Sequence, residues 1–215
     1  MGCFGAFGVG KTTFAFQTII NSLTRNKNSL FFYTKPQLPI GKIRNIVESY
    51  FDRMDKNAMR NLKIFKINDF TQLHTISFHL EFILLNAIQS ENKPIHLIVI
   101  DSLTDLYKIN LNPNKKEKNV ELNYKLHQIL ANLQYLTHKY DLELLLINER
   151  SKETVNGKVV ENQSGGAVMN YWISYFINIK RTPILNRRKF ILCNSNHDTL
   201  LEFHLEMTLH GFKEK

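Results

Sequence analysis

Eight residues near the start of the chain, Gly5-Ala6-Phe7-Gly8-Val9-Gly10-Lys11-Thr12, constrain its fold more than any other feature. They match the spacing G-x-x-x-x-G-K-[ST]. Short apolar residues from Gly2 precede them, and in the Thr12 to Leu23 stretch Phe16, Ile19, Ile20 and Leu23 recur at helical spacing. In that strand-to-helix setting the glycines let backbone N–H groups turn inward around phosphate oxygens, and the dipole of the helix adds its pull. Gly5, Phe7, Gly8, Val9, Gly10, Lys11, Thr12 and Thr13 are therefore the candidate phosphate-binding residues. Lys11 is expected to bridge the β- and γ-phosphates of a nucleotide, which makes it a candidate catalytic residue, and the Thr12 hydroxyl is expected to ligate Mg2+.

The rest of the chain alternates between two periodicities. Leu30 to Tyr33 reads as a buried strand, ended by a loop at Pro36–Pro39. Ile43, Ile46, Val47, Tyr50, Phe51 and Met54 mark one face of an amphipathic helix. Leu62 to Ile67 predicts a short strand, and Asp69 the N-cap of a helix with Leu73, Ile76, Leu80, Ile83, Leu84 and Ala87 on one side. Ile95 to Ile100 is short, apolar and rich in β-branched residues, as a central parallel strand requires. Polar, lysine-rich Asn110–Asn119 predicts a surface loop, followed by a helix over Tyr124–Tyr140 and a strand over Leu142–Ile147. Ser151–Gly166 is polar with three glycines and predicts a mobile loop. Trp172–Lys180, Lys189–Asn194 and Glu202–Leu209 then predict strands in close succession. The implied fold is α/β, a mainly parallel twisted sheet flanked by helices with a C-terminal antiparallel β extension.

Composition narrows the function classes. At 215 residues, with 43% hydrophobic and 22% charged residues, the chain suits one well-buried domain over 1–215 rather than a disordered segment. No apolar run is long enough to span a membrane, and no basic-then-apolar leader opens the chain, so neither a membrane protein nor a secreted one is expected. Cys3 and Cys193 cannot build a disulfide framework or a zinc site, which fits a reducing, cytoplasmic setting. The net charge of +9 favours an anionic partner such as nucleic acid or nucleotide. The histidines are scattered without metal-ligand spacing.

Asp101 ends the apolar run Leu97-Ile98-Val99-Ile100, at a strand's C-terminal edge, where a carboxylate would hold Mg2+ through water. With it the chain comes to resemble a family. The opening motif extended through Thr13, then Ile100-Asp101-Ser102-Leu103-Thr104-Asp105-Leu106-Tyr107, then Leu146-Ile147-Asn148-Glu149, then Gly165-Gly166 before Tyr171-Trp172, are similar in order to the ATPase core of RecA-family recombinases. The archaeal strand-exchange proteins and their short paralogue RadB are the most similar in pattern. The resemblance implies a RecA-like P-loop NTPase core that binds ATP and Mg2+, works in DNA recombination or repair, and assembles between subunits or with a recombinase partner. It also implies two DNA-facing loops, mapping onto Asn110–Asn119, with Lys115, Lys116 and Lys118, and onto Ser151–Gly165, with Lys152 and Lys158. From composition alone each lysine cluster is more often a solvated loop, and the resemblance brings DNA contact level with that reading. Arg187, Arg188 and Lys189 form a further basic patch with the same two readings.

Two departures from the family pattern bear on catalysis. RecA-family ATPases place a water-activating glutamate just after the second strand, and here Lys35 stands at that position. A charged lysine cannot act as that base, so hydrolysis is expected to be weak or regulated. The family's γ-phosphate-sensing Asn-Gln pair is Asn148-Glu149 here. Three readings are open: Lys35 and Glu149 form an ion pair, Glu149 orients the water and is catalytic, or both positions drifted in a protein that binds ATP without turning it over. The chain begins at the first core strand, so an N-terminal DNA-binding or polymerisation domain is not expected, leaving room for a weaker homo-oligomer through the core. The function expected is that of an ATP-binding protein of DNA recombination and repair that binds DNA, in single-stranded form. A KaiC-like nucleotide-dependent switch acting on protein partners without DNA is the alternative.

Overall fold

The inner strands carry apolar residues on both faces, and in the computed structural model both faces are covered by helices. The structure describes residues 1–91, 93–155 and 158–214. In chain order the elements are β1 Gly2–Gly5, α1 Lys11–Thr24, β2 Asn28–Tyr33, α2 Ile40–Glu48, β3 Leu62–Lys66, α3 Phe70–Glu91, β4 Ile95–Asp101, α4 Leu103–Asn110 and α5 Lys116–Tyr140. They continue as β5 Glu143–Val155, β6 Lys158–Gln163, α6 Gly166–Trp172, β7 Tyr175–Arg181, β8 Arg187–Asn194, β9 Thr199–Thr208 and β10 Gly211–Lys213. The strands lie in the order β10-β9-β8-β7-β1-β5-β4-β2-β3, with β6 paired to β5. Pairing is parallel from β7 through β1, β5, β4 and β2 to β3, and antiparallel from β7 outward through β8 and β9 to β10. The expected parallel core with an antiparallel extension is therefore what forms.

Strand alternation divides the core in two. Leu30, Phe32, Ile98, Ile100 and Leu146 pack with α3, α5 and α6 through Leu73, Leu84, Leu126, Leu133 and Met169. Their neighbours Phe31, Tyr33, Leu97, Val99, Leu145 and Ile147 face the other way, onto Phe16, Ile19 and Ile20 of α1 and Ile46 of α2. The helix starts are chemically marked: Asp69 Oδ1 accepts from Gln72 N at 2.8 Å, and Ser102 Oγ accepts from Asp105 N at 3.1 Å.

Four expectations are corrected. The surface loop over Asn110–Asn119 shrinks to residues 111–115, because α4 runs to Asn110 and Lys116 already opens α5. The polar character there reflects the exposed first turns of a helix, on which Lys116 and Lys118 are exposed. The mobile loop over Ser151–Gly166 is largely a hairpin: β5 continues to Val155 and pairs antiparallel with β6, from Arg150 opposite Gln163 to Val155 opposite Lys158. Its Asn156 and Gly157 lie outside the described residues, as do the side chains of Lys152 and Lys158. Trp172 ends helix α6 instead of opening a strand, which starts only at Tyr175. The basic patch of Arg187, Arg188 and Lys189 shrinks, since all three lie within β8, Arg188 is buried and Lys189 pairs with Glu202 at 2.7 Å.

The antiparallel extension shares the core. Phe190 of β8 is 0% exposed and its ring meets Phe203 of β9, Phe212 of β10 and Phe14 of α1 at 5.2, 5.0 and 5.8 Å. Phe190→Ala is expected to destabilise the whole chain by about 3–5 kcal/mol in urea unfolding, in a single transition. A separate early transition that leaves the helical signal intact would mark the extension as an independent unit.

Candidate functional site

Parallel strands bring their C-terminal ends to one edge of the sheet, and there the candidate residues meet. Gly5 of β1 lies opposite Glu149 of β5, and Asp101 of β4 lies opposite Ile147 of β5 and Tyr33 of β2. Gly8 and Gly10 hold φ of 75° and 107°, a left-handed backbone that glycine adopts without strain. Gly10 is also the N-cap of α1, and no side chain caps that helix. The N–H groups at the head of α1 are left for a ligand, the arrangement an anion requires. Phe7 projects its ring into solvent while Arg181 Nη2 donates to its carbonyl at 3.0 Å; Val9 is fully buried, so both could contribute to the turn only through backbone. Thr13 Oγ1 is buried without a hydrogen-bond partner among the described residues.

Two buried charges organise the site. Lys11, 5% exposed, donates to the carbonyls of Gly5 and Ala6 at 2.9 and 3.1 Å, and meets both carboxylate oxygens of Glu149 at 3.0 Å. Asp101, fully buried, accepts the Thr12 hydroxyl on Oδ2 at 2.6 Å, and its Oδ1 lies 2.9 Å from Lys35 Nζ. Lys35 Nζ also donates to Thr12 Oγ1 at 3.0 Å, closing a triangle. Of the three readings open for Lys35 and Glu149, their mutual ion pair is corrected: each takes a different partner, because β4 stands between β5 and β2 and puts Asp101 nearest to Lys35.

The sequence pattern missed the supports. Thr34 Oγ1 accepts from Ser102 N at 2.8 Å and donates to Ser102 O at 3.0 Å, while Thr34 N donates to Asp101 O at 2.9 Å, fixing the two strand ends together. Thr104 Oγ1 accepts from Glu149 N at 3.4 Å. Thr34 belongs to no motif, and Thr104 lies in the Ile100–Tyr107 segment without a role assigned to it; only the strand order places them. A cleft of about 260 Å³ opens over these groups, lined by Lys11, Thr12, Lys35, Lys42 and Glu149 among others. Burial and then the charge of Lys35 hold Lys42 below the ordinary lysine range. Burial would also lower Lys35, but the charge and hydrogen bond of Asp101 outweigh it and hold that ammonium above its usual range. Burial pushes the Cys3 thiol well above the ordinary range, so it is an inert core residue.

Three lysines against one carboxylate make the cleft walls a receptor for anions. The glycine turn, the uncapped helix head and the free Thr13 hydroxyl fit a chain of phosphates. Thr12 and Asp101 stand together as a metal-binding pair would, with the Lys35 ammonium sharing both oxygens.

No protein-family model matches the chain. A DNA repair and recombination protein RadB of Methanococcus maripaludis strain C5 is 27% identical over 194 residues, covering 90% of this chain and 81% of that protein. RadB of Methanosphaera stadtmanae is 24% identical over 193 residues, 86% of this chain and 77% of that protein. The DNA repair protein RAD57 of Saccharomyces cerevisiae is 25% identical over 183 residues, 80% of this chain and 37% of its own length. The chain has a RecA-like core and is similar to archaeal RadB. Against that RecA-like core, Lys35 follows directly after Thr34 at the end of β2, beside Asp101, and Glu149 occupies the sheet edge next to the glycine turn.

Because Glu149 already neutralises Lys11, it competes with any incoming anion. Glu149→Gln is expected to cost about 1–3 kcal/mol of stability while strengthening the binding of inorganic pyrophosphate, read as a larger rise in melting temperature at equal ligand. Lys11→Ala is expected to abolish the rise. Weaker pyrophosphate binding by Glu149→Gln would remove the competition argument.

Proposed function

We propose that the chain binds ATP in this cleft and acts, in the cytoplasm, as a RecA/RadB-like protein of DNA recombination and repair with slow ATP hydrolysis. The observation that carries the reading is the convergence of two left-handed glycines, an uncapped helix head and the buried Lys11 on one cationic cleft. The relatives' names, DNA repair and recombination proteins, support the process. They do not favour a protein-only switch.

When bound there, ATP would supply phosphate anions to the N–H groups at the head of α1. Backbone N–H groups from Gly8 to Thr13 would cradle the phosphates, and Lys11 would exchange the Glu149 carboxylate for phosphate oxygen. Thr12 and Asp101 are the pair expected from the sequence to hold Mg2+, but the Lys35 ammonium already shares their oxygens and the residues present do not fit the ion beside it. Lys35 cannot accept a proton from water while its ammonium is held charged by Asp101, which makes turnover slow. Glu149, released from Lys11, is the carboxylate left at the cleft wall to orient water. It lies on β5, the strand that continues into the hairpin with β6, so a change at the phosphate site reaches an element far from the turn.

DNA contact falls to exposed lysines, with Lys115, Lys116 and Lys118 at the start of α5 as the described candidates. Single-stranded DNA is the form proposed, with a second copy of the chain or a recombinase as protein partner, and the 215 residues acting as one ATP-binding unit. No helix among the described residues is long and apolar enough to cross a membrane.

Fluorescence anisotropy with a single-stranded oligonucleotide tests the reading. Affinity is expected to fall by about tenfold or more between 50 and 200 mM salt, roughly as three or more phosphate contacts require, and to change on adding Mg-ATP. The nucleotide effect is expected to vanish in Lys11→Ala, and the salt slope to flatten when Lys115, Lys116 and Lys118 are replaced together by alanine. ATP binding with no DNA affinity at low salt would overturn the DNA reading.

A further inference from the structure

The oxygens read as metal ligands already hold a cation. Lys35 Nζ lies 2.9 Å from Asp101 Oδ1 and 3.0 Å from Thr12 Oγ1, while the Thr12 hydroxyl donates to Asp101 Oδ2 at 2.6 Å. A divalent ion on Thr12 would need an oxygen at about 2.1 Å, and could not share these ligands with an ammonium without strong repulsion. The lysine is also held in place from both sides. Its carbonyl accepts from the Lys66 ammonium, and the preceding Thr34 is locked to Ser102 by its hydroxyl in both directions.

We propose that Lys35 is the resident cation of the phosphate site, occupying the position between Thr12 and Asp101 where a divalent metal would act, so that nucleotide binds without one. This rests on the ATP reading above. An ammonium has three N–H donors. Two are accounted for by Asp101 and Thr12, and since Lys35 lines the cleft the third is available to a phosphate oxygen. Asp101, with no solvent exposure, is neutralised by the same contact, which a buried carboxylate requires. The lysine standing at the family's glutamate position thus exchanges a base for a charge carrier.

The test is a titration of the full chain with a fluorescent ATP analogue, once in EDTA and once in MgCl2. Wild-type affinities in the two buffers are expected to agree within about threefold. Lys35→Met, which keeps the aliphatic stem, is expected to lose about tenfold or more in EDTA and to recover in MgCl2. Lys35→Glu is expected to show the same dependence on the metal, more steeply. A wild-type affinity at least about tenfold weaker in EDTA overturns the inference and leaves ATP binding standing. So does a Lys35→Met protein that binds equally in both buffers. Wild-type protein that binds no analogue in either buffer overturns the ATP reading and this inference with it. The wild-type comparison needs no variant to fold, and circular dichroism checks those that are made.

Discussion

A lysine and an aspartate buried at the same sheet edge must each find an opposite charge, and the rest of the site follows from how they do so. Lys11 is drawn back over its own turn to the Gly5 and Ala6 carbonyls and to Glu149, while Asp101 takes Thr12 and Lys35. Unpaired, either charge would carry a desolvation cost of several kcal/mol. Paired, they tie β1 to β5 and β4 to β2 at the points where the connecting loops begin. The same pairs make the site responsive, because an incoming phosphate chain offers Lys11 a stronger anion than the half-buried carboxylate it already holds.

Electrostatic asymmetry distinguishes this cleft from a simple anion hole. Its positive charges come from three different elements, α1, the loop after β2, and α2, whereas its exposed negative charge comes from β5 alone. Within the cationic wall Asp101 and Thr34 hold Lys35, while Lys11 is held by Glu149 of β5.

Much of this was legible in the sequence because the phosphate turn, the apolar strands and the Asp101 terminus are local patterns. The strand alternation that separates Leu30 and Phe32 from Phe31 and Tyr33 requires no knowledge of neighbours. The partner of Lys35 was not legible, since it depends on β4 lying between β2 and β5, and strand order leaves no trace in a single strand's residues. The β5–β6 hairpin escaped for another reason. Its residues are largely polar, so it carries no alternation of apolar and polar faces and is defined by backbone pairing. Helix α6 is seven residues long and packs chiefly through Met169, too little for a period of 3.6 to register. Where chemistry sits within one turn, the sequence speaks plainly; where it depends on which strands are adjacent, only the fold does.

The far end of the sheet also reaches the phosphate turn. A methyl group added at Gly10 would fall 2.5 Å from Phe212 Cζ and 2.9 Å from Met207 Sδ, so β9 and β10 stand directly behind the turn. Gln17 of α1 fastens them there, accepting from Phe212 N and donating to Phe212 O, each at 2.8 Å. The outermost ladder and the glycine turn are consequently packed against each other through α1. A contact that steadies the glycine turn is therefore expected to slow amide exchange in β9 and β10 as well, some strands away from it.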